Sequence, residues 1–419
     1  MQNDFLPRKP APETLKPTPT ESKNQPDREQ QVPFQTPDQV SQHDQDTATV
    51  PLETTPQKPA RGTGHHWFNM PWPPSRTEIW AICIVLLIAI LGIGAFALFH
   101  KPEVSKTVTP TTSAKKAPVK PTTVASALSG LQVQPEVNQR PVIGIMIENS
   151  KEARPQSGLS EAGVVIEAIA EGGITRFLAL YQDQQPGNVG PIRSARPYYV
   201  QWNESFRAAY VHVGGSNDAL QTIKSLNVQD INQYYNGSSF RREKSRPSPH
   251  NVYSSVVDLT NLATAKGFKS EFTGLARKPA KAAKQPTASS VDVSISSSLY
   301  NVHYAYDAAS NTYLRSQGGA AHIDSNNSKQ LAPNVVITMV VPMTAGAKTS
   351  QGGSYSNYQV IGSGTAYIFQ DGVATAATWS KASNTSQITF TDANGAPIKL
   401  NPGQTWISAV SSTTKVTYR

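Results

Sequence analysis

Cysteine is almost missing: Cys83 is the only one in 419 residues. It lies inside an apolar run, so the rest of the chain has no disulfide and no thiolate for metal binding or nucleophilic catalysis. That suits a domain outside the cytoplasm, although many cytosolic proteins pass the same test. The signatures of common hydrolases and nucleotide-binding enzymes are missing too. There is no G-x-S-x-G elbow, no H-E-x-x-H, no P-loop, and no S-x-x-K followed by K-T-G. His303 and His322 with Asp324 are too sparse for a zinc site, so no metal and no cofactor is expected. Basic stripes with interleaved aromatics are absent, which argues against nucleic acid.

Aliphatic runs are lacking from the first 77 residues, which hold 14 of the 32 prolines. Such a segment cannot bury enough apolar surface to offset the entropy lost on ordering, so residues 1–77 read as a disordered tail. A docking tail for a cytoplasmic partner is the other reading. Charge is what residues 79–99 lack: IWAICIVLLIAILGIGAFALF is 21 residues without an ionisable acid or base of the Asp, Glu, Lys or Arg type. As a helix it would be about 31 Å long, against a hydrocarbon core of about 30 Å. Trp67, Trp72 and Trp80 crowd its N-terminal side, as interfacial anchors do. A single transmembrane helix over 78–100, held in the lipid bilayer by residues 79–99, is the expectation. A cleavable signal peptide would need a shorter apolar run and a far shorter leader.

The net charge of +9 is uneven. The tail is near neutral, residues 101–130 carry five lysines against one glutamate, and the remainder has 25 basic and 18 acidic residues. The lysines after the apolar run oppose the positive-inside rule, which decides little for a long translocated domain. Residues 101–130, rich in Pro, Thr and Lys, read as an extended stalk.

From residue 131 the texture changes. PVIGIMIEN (141–149), AGVVIEAIA (162–170), TRFLALYQ (175–182) and AAYVHVGG (208–215) have strand length and composition. Helices are predicted over 194–206, over 216–226 behind the capping run Ser216-Asn217-Asp218, and over 254–268 with Gly267 as the C-terminal stop. A mixed α/β N-terminal domain over 131–275 follows from that alternation. Residues 276–290 look like a connector. Beyond it, strands are predicted at 290–296, 301–307, 311–316, 334–343, 358–372, 387–395 and 404–410, with hairpin turns at Asp371-Gly372 and Asn394-Gly395. That gives a β-rich, mainly antiparallel C-terminal domain over 291–419, and an α+β fold class overall.

RPVIGIMIENSKEARPQSGLSEAGVVIEAIAEGGITRFLALY, GPIRSARPYYVQW, YVHVGGS and RPSPHNVY, in that order, resemble the YerB-like family. YAYDAASNTYLRSQGGAAHIDSNNSKQLAPNVVI and IKLNPGQTWISAV resemble its C-terminal domain. The resemblance covers roughly 140 to 410. It implies a bacterial extracytoplasmic protein of unknown function with two domains, often made as a lipoprotein. Here an apolar span and long tail stand where the family has a lipidated cysteine. The resemblance therefore places the C-terminal region outside the cytoplasm, at a cell membrane crossed once.

Candidate site residues concentrate in the N-terminal half. Arg193 and Arg196, three apart at a predicted helix start, could form a forked cradle for carboxylate or phosphate. His212 ends a strand before Gly214-Gly215-Ser216, and Arg246-Pro247-Ser248-Pro249-His250-Asn251 adds a loop histidine. Glu167 and Glu171, near Arg176, supply carboxylates. The expected cleft therefore comprises Glu167, Glu171, Arg176, Arg193, Arg196, His212, Ser216, His250 and Asn251. Each has a plainer role as ion pair, core histidine or turn. A non-catalytic binding or scaffolding module is the leading expectation, its partner an anionic cell-wall polymer or an envelope assembly protein. The competing class is an enzyme acting on an envelope polymer. Glu171 and His250 within hydrogen-bond reach around an open pocket would favour that enzyme.

Overall fold

The computed structural model describes residues 122–348 and 354–419. The tail and the apolar segment 79–99 lie outside them. Among the described residues no helix is long and apolar enough to cross a membrane. The fold begins earlier than the stalk boundary at 130 suggests: Val124–Ala125 pairs with Gln132–Val133, and Leu128 is buried beneath them.

The first sequence half supplies β1 (Ile143–Glu148), β2 (Val164–Glu171), β3 (Ile174–Tyr181), helix α1 (Pro197–Asn203), β4 (Ala209–His212), α2 (Asn217–Ser225), β5 (Asp230–Asn232) and α3 (Val256–Ala265). The second supplies β6 (Ser290–Val293), β7 (Val302–Asp307), β8 (Thr312–Gln317), β9 (Ala320–Ala321), β10 (Val335–Val340), β11 (Gly362–Gln370), β12 (Val373–Lys381), β13 (Thr389–Thr391), β14 (Thr405–Val410) and β15 (Val416–Tyr418).

One large sheet crosses both halves. Its strands run β13-β12-β11-β10-β14-β2-β3-β1-β4-β5. The join is β14, which lies parallel to β10 on one side and to β2 on the other. The second half is therefore β-rich with many antiparallel pairs, but its central pairing is parallel. A further hairpin, Met343–Lys348 with Ser354–Tyr358, touches β2 through the Tyr355 to Glu171 pairing.

Alternation explains the layers. Successive side chains on a strand point to opposite faces. Met146, Ile166, Leu178 and Ile407 face one core, which α1 and α2 cover with Tyr198, Trp202 and Ile223. Ile145, Val165, Phe177 and Trp406 face the other, which α3 covers with Val256 and Leu259. The rest of that second face is covered by a five-stranded antiparallel sheet in the order β9-β8-β7-β6-β15, through Val291, Tyr304 and Tyr313. Strands buried on both faces read as continuous apolar runs, which is why β1 and β2 were easy to see in the sequence.

Turns and caps follow local chemistry. Ser216 caps α2 by accepting from the Ala219 N–H, and Ser255 caps α3 by accepting from Asp258. Asp371 and Gly372 both have positive φ, as a two-residue hairpin turn between β11 and β12 requires. The predicted strand over 358–372 is two elements, broken between Tyr358 and Gly362. The 276–290 segment, expected as a loose connector, is tied down. Lys278 N–H donates to Leu400, Thr287 and Ala288 donate to Gly372, and the Arg277 guanidinium donates to Leu128 and Asn401.

Candidate functional site

The charged cluster forms at the carboxyl ends of β1 and β4, which are parallel neighbours. Open α/β sheets place ligand crevices at such strand ends. Between them runs the segment from Pro191 to Ala195. Glu148 N–H donates to Pro191 and Arg193 N–H to Met146; on the other side Val213 donates to Arg193, and Ala195 donates to Gly214. The turn at Gly214 has positive φ, and a Cβ there would meet the Tyr234 ring at 2.9 Å. This backbone fixes where the side chains of Glu148, Arg193 and Arg196 start.

Glu148, the last residue of β1, is the hub. Its Oε1 accepts from the Ser150 hydroxyl at 3.0 Å and meets His250 Nδ1 at 2.9 Å. Arg193 Nε lies 3.2 Å from the same oxygen, out of line for a hydrogen bond. Glu148 Oε2 is buried and has no hydrogen-bond partner among the described residues. The Arg193 side chain is 23 % exposed, and its guanidinium makes no hydrogen bond to any described residue. His250 reaches Glu148 through Nδ1, and its Nε2 has no hydrogen-bond partner among the described residues.

Glu171 belongs to an adjoining group. Its two oxygens pair with Arg176 and Arg196, Arg176 also donates to the Ser194 carbonyl at 2.7 Å, and Arg196 donates to Ala195. The Arg196 guanidinium stacks over the Tyr355 ring at 4.8 Å. Burial pushes the Glu171 carboxyl up, but Arg176 and Arg196 outweigh it and hold it below the usual carboxylate range. Burial and the neighbouring Arg196 pull Arg176 down to about 10. Across the β1–β3 pair Glu148 stands opposite Arg176, so the two groups are continuous.

The other candidates lie elsewhere. Glu167 is fully buried between the two sheets. It accepts from Arg315 at 2.7 Å, Trp406 Nε1 at 3.2 Å and Thr175 at 3.0 Å. His212 is fully buried, with Nδ1 2.7 Å from the Gly214 carbonyl and Nε2 2.7 Å from Asp230, so both ring nitrogens are occupied within the fold. Ser216 is the α2 cap. Asn251 pins its own loop, accepting from Arg242 and donating to Glu243 and Arg246. Thus Arg193 and His250 converge on Glu148, Glu171, Arg176 and Arg196 adjoin them, and Glu171 makes no hydrogen bond to His250. The carboxylate partner of His250 is Glu148, which sequence reasoning missed. Its one signal was a glutamate closing an apolar strand, the same signal that Glu167 gave from within the core. Among the described residues no three His, Cys, Asp or Glu side chains group as metal ligands.

A large mixed sheet shared by both halves, with an arginine-rich cluster at its strand ends, defines the class structurally. Residues 128–269 match the N-terminal domain, and residues 291–407 the C-terminal domain, of the family described as "Protein of unknown function (DUF3048)". The chain belongs to this YerB-like family of uncharacterised proteins. It is 34% identical over 289 residues to "Putative lipoprotein YerB" of Bacillus subtilis (strain 168), covering 68% of this chain and 85% of that one. The crystal structure of the Bacillus subtilis YerB protein matches with a TM-score of 0.63 at 30% identity, over 71% of this chain and 99% of that chain.

Proposed function

We propose that this chain is a membrane-anchored envelope protein, its folded region outside the cytoplasm, whose Arg193 cluster binds an anionic group of an envelope polymer. The observation that carries the reading is the contrast among the three arginines. Arg176 and Arg196 are committed to Glu171 and to backbone carbonyls, whereas the partly exposed Arg193 guanidinium donates to no described residue. A guanidinium in that state suits carboxylate or phosphate. The lipoprotein description of YerB supports anchoring to a membrane, and residues 79–99 would serve as the anchor here.

The test is co-sedimentation of the full-length chain, in detergent, with cell-wall sacculi that retain or lack their anionic polymers. Binding should require the anionic polymer and fade as salt rises. Arg193→Ala should weaken it roughly tenfold to a hundredfold, the worth of a charge-assisted hydrogen bond or two. Equal sedimentation of the variant, or none of the wild type with either preparation, would remove the glycan reading.

One observation favours a second reading. Glu148 orients His250 through Nδ1, and Nε2 has no partner among the described residues, an arrangement that suits a general base. An enzyme acting on the same polymer would release soluble fragments, and His250→Asn would stop that release while sparing sedimentation.

A further inference from the structure

A cleft of about 490 Å³ opens beside the small sheet. Its walls include Pro155, Leu299 and Ile323, its cations are Lys151 and Arg154, and no carboxylate lines it. Gln317, the last residue of β8, also lines it. The side chains of Tyr313, Arg315 and Gln317 alternate inward along β8, and Gln317 is only 5 % exposed. Neither its amide nitrogen nor its amide oxygen has a hydrogen-bond partner among the described residues. Leaving a buried polar group unmatched is costly, so both ends of one amide left unmatched require an explanation.

We infer that this cleft is a site for a short extended peptide ending in a free carboxylate. A primary amide offers one acceptor and one donor side by side. An extended peptide residue presents its own N–H and C=O on the same side, which is how strands pair in an antiparallel ladder. The Gln317 amide offers that pattern at the wall of the cleft, beside the exposed residues Ala320 and Ala321 of β9. At the cleft's other wall Arg154 is held in place: Nε donates to Asn149 Oδ1 at 3.0 Å, the terminal nitrogens donate to Asn149 and Leu299 carbonyls, and the guanidinium stacks on Tyr300 at 5.1 Å. Three of its five N–H groups are thereby used, and two remain for a carboxylate. Lys151, exposed on the same wall, adds a second charge.

This site is separate from the Arg193 cluster and does not depend on it, although the loop from Glu148 to Arg154 serves both. The experiment is a thermal-shift titration of the full-length chain with N-acetyl-dialanine and with its C-terminal carboxamide. A ligand that binds the folded chain alone raises Tm with concentration. The acid should raise Tm, and the carboxamide should need at least ten times the concentration to do the same. Gln317→Leu should raise Tm without ligand, because it replaces an unmatched buried amide, and should lose the ligand-induced shift. Lys151→Glu, at an exposed position, should weaken the shift at least tenfold whatever Gln317→Leu does to folding. Arg193→Ala should leave the shift unchanged. No shift with the acid, an equal shift with the carboxamide, or a Lys151→Glu protein that responds like wild type would each overturn the assignment.

Discussion

Two glutamate–arginine pairs with a histidine nearby stand in the same fold and differ in one respect. Between the sheets, Glu167 has both oxygens occupied, by Thr175 on one and by Arg315 and Trp406 on the other. Arg315 lies 4.4 Å from the Trp406 ring centre and bonds to His322, whose other nitrogen meets Gln156 at 2.9 Å. At the strand ends, Glu148 has one oxygen without a partner and the Arg193 guanidinium donates to no described residue. A sealed pair holds two layers together. An open pair can accept something else. Both glutamates are buried; what distinguishes the pairs is whether neighbouring layers close over the arginine as well.

The largest effect should come from breaking the sealed pair. Burial works against the Arg315 charge, and Glu167 together with Tyr304 more than restores it. Arg315→Met leaves Glu167 as a buried, uncompensated charge and should cost about 3–5 kcal/mol, read as a lower urea midpoint. Adding Glu167→Leu should recover most of that loss, because two apolar residues then replace two desolvated ions. A double variant as weak as the single one would mean that the pair does more than neutralise itself. His322 sharpens the point: burial first, then Arg315 and Arg154, hold its imidazole well below its ordinary range, so it stays neutral in the core.

An intermediate effect belongs to Glu171, which is partly exposed and pairs with both Arg176 and Arg196. Its folded-state value is lowered, so its contribution is present above the unfolded glutamate value of about 4.3 and is lost as pH falls through the folded value. Urea midpoints measured from pH 7 down to pH 3 should fall less steeply for Glu171→Gln than for wild type. Parallel curves would show that Arg176 and Arg196 do not stabilise the ionised form.

Much of this molecule was legible because its strands are apolar on both faces. IGIMIE and VVIEAIAE could hardly be anything else, and Ser216 and Asp371-Gly372 marked their cap and turn through local chemistry. β12 was missed because VATAATWSK has small residues where an apolar run was sought. The parallel insertion of β14 beside β2 was illegible in principle: more than 200 residues separate Thr405 from Val164, and no periodicity encodes which strands will be neighbours. The site suffered from the same blindness. Arg193 and His250 were found by residue type, but Glu148 and Glu167 look alike in sequence, and only the small sheet packed over Glu167 tells them apart.

The smallest effect on stability should come from Arg193→Ala, and this is where the comparison is most exposed. The side chain is nearly a quarter exposed, makes no hydrogen bond, and meets Glu148 only out of line. Removing it leaves Glu148 with Ser150 and His250 still on Oε1. Partly exposed ion pairs of this kind contribute about 0–1 kcal/mol, so the urea midpoint should shift by no more than that, with an unchanged slope. A loss approaching that of Arg315→Met would make Arg193 a structural tie like Arg315, and the open cluster would be a second sealed one. A near-silent stability change together with lost polymer binding would separate the two pairs, Arg315 serving the fold and Arg193 serving a ligand.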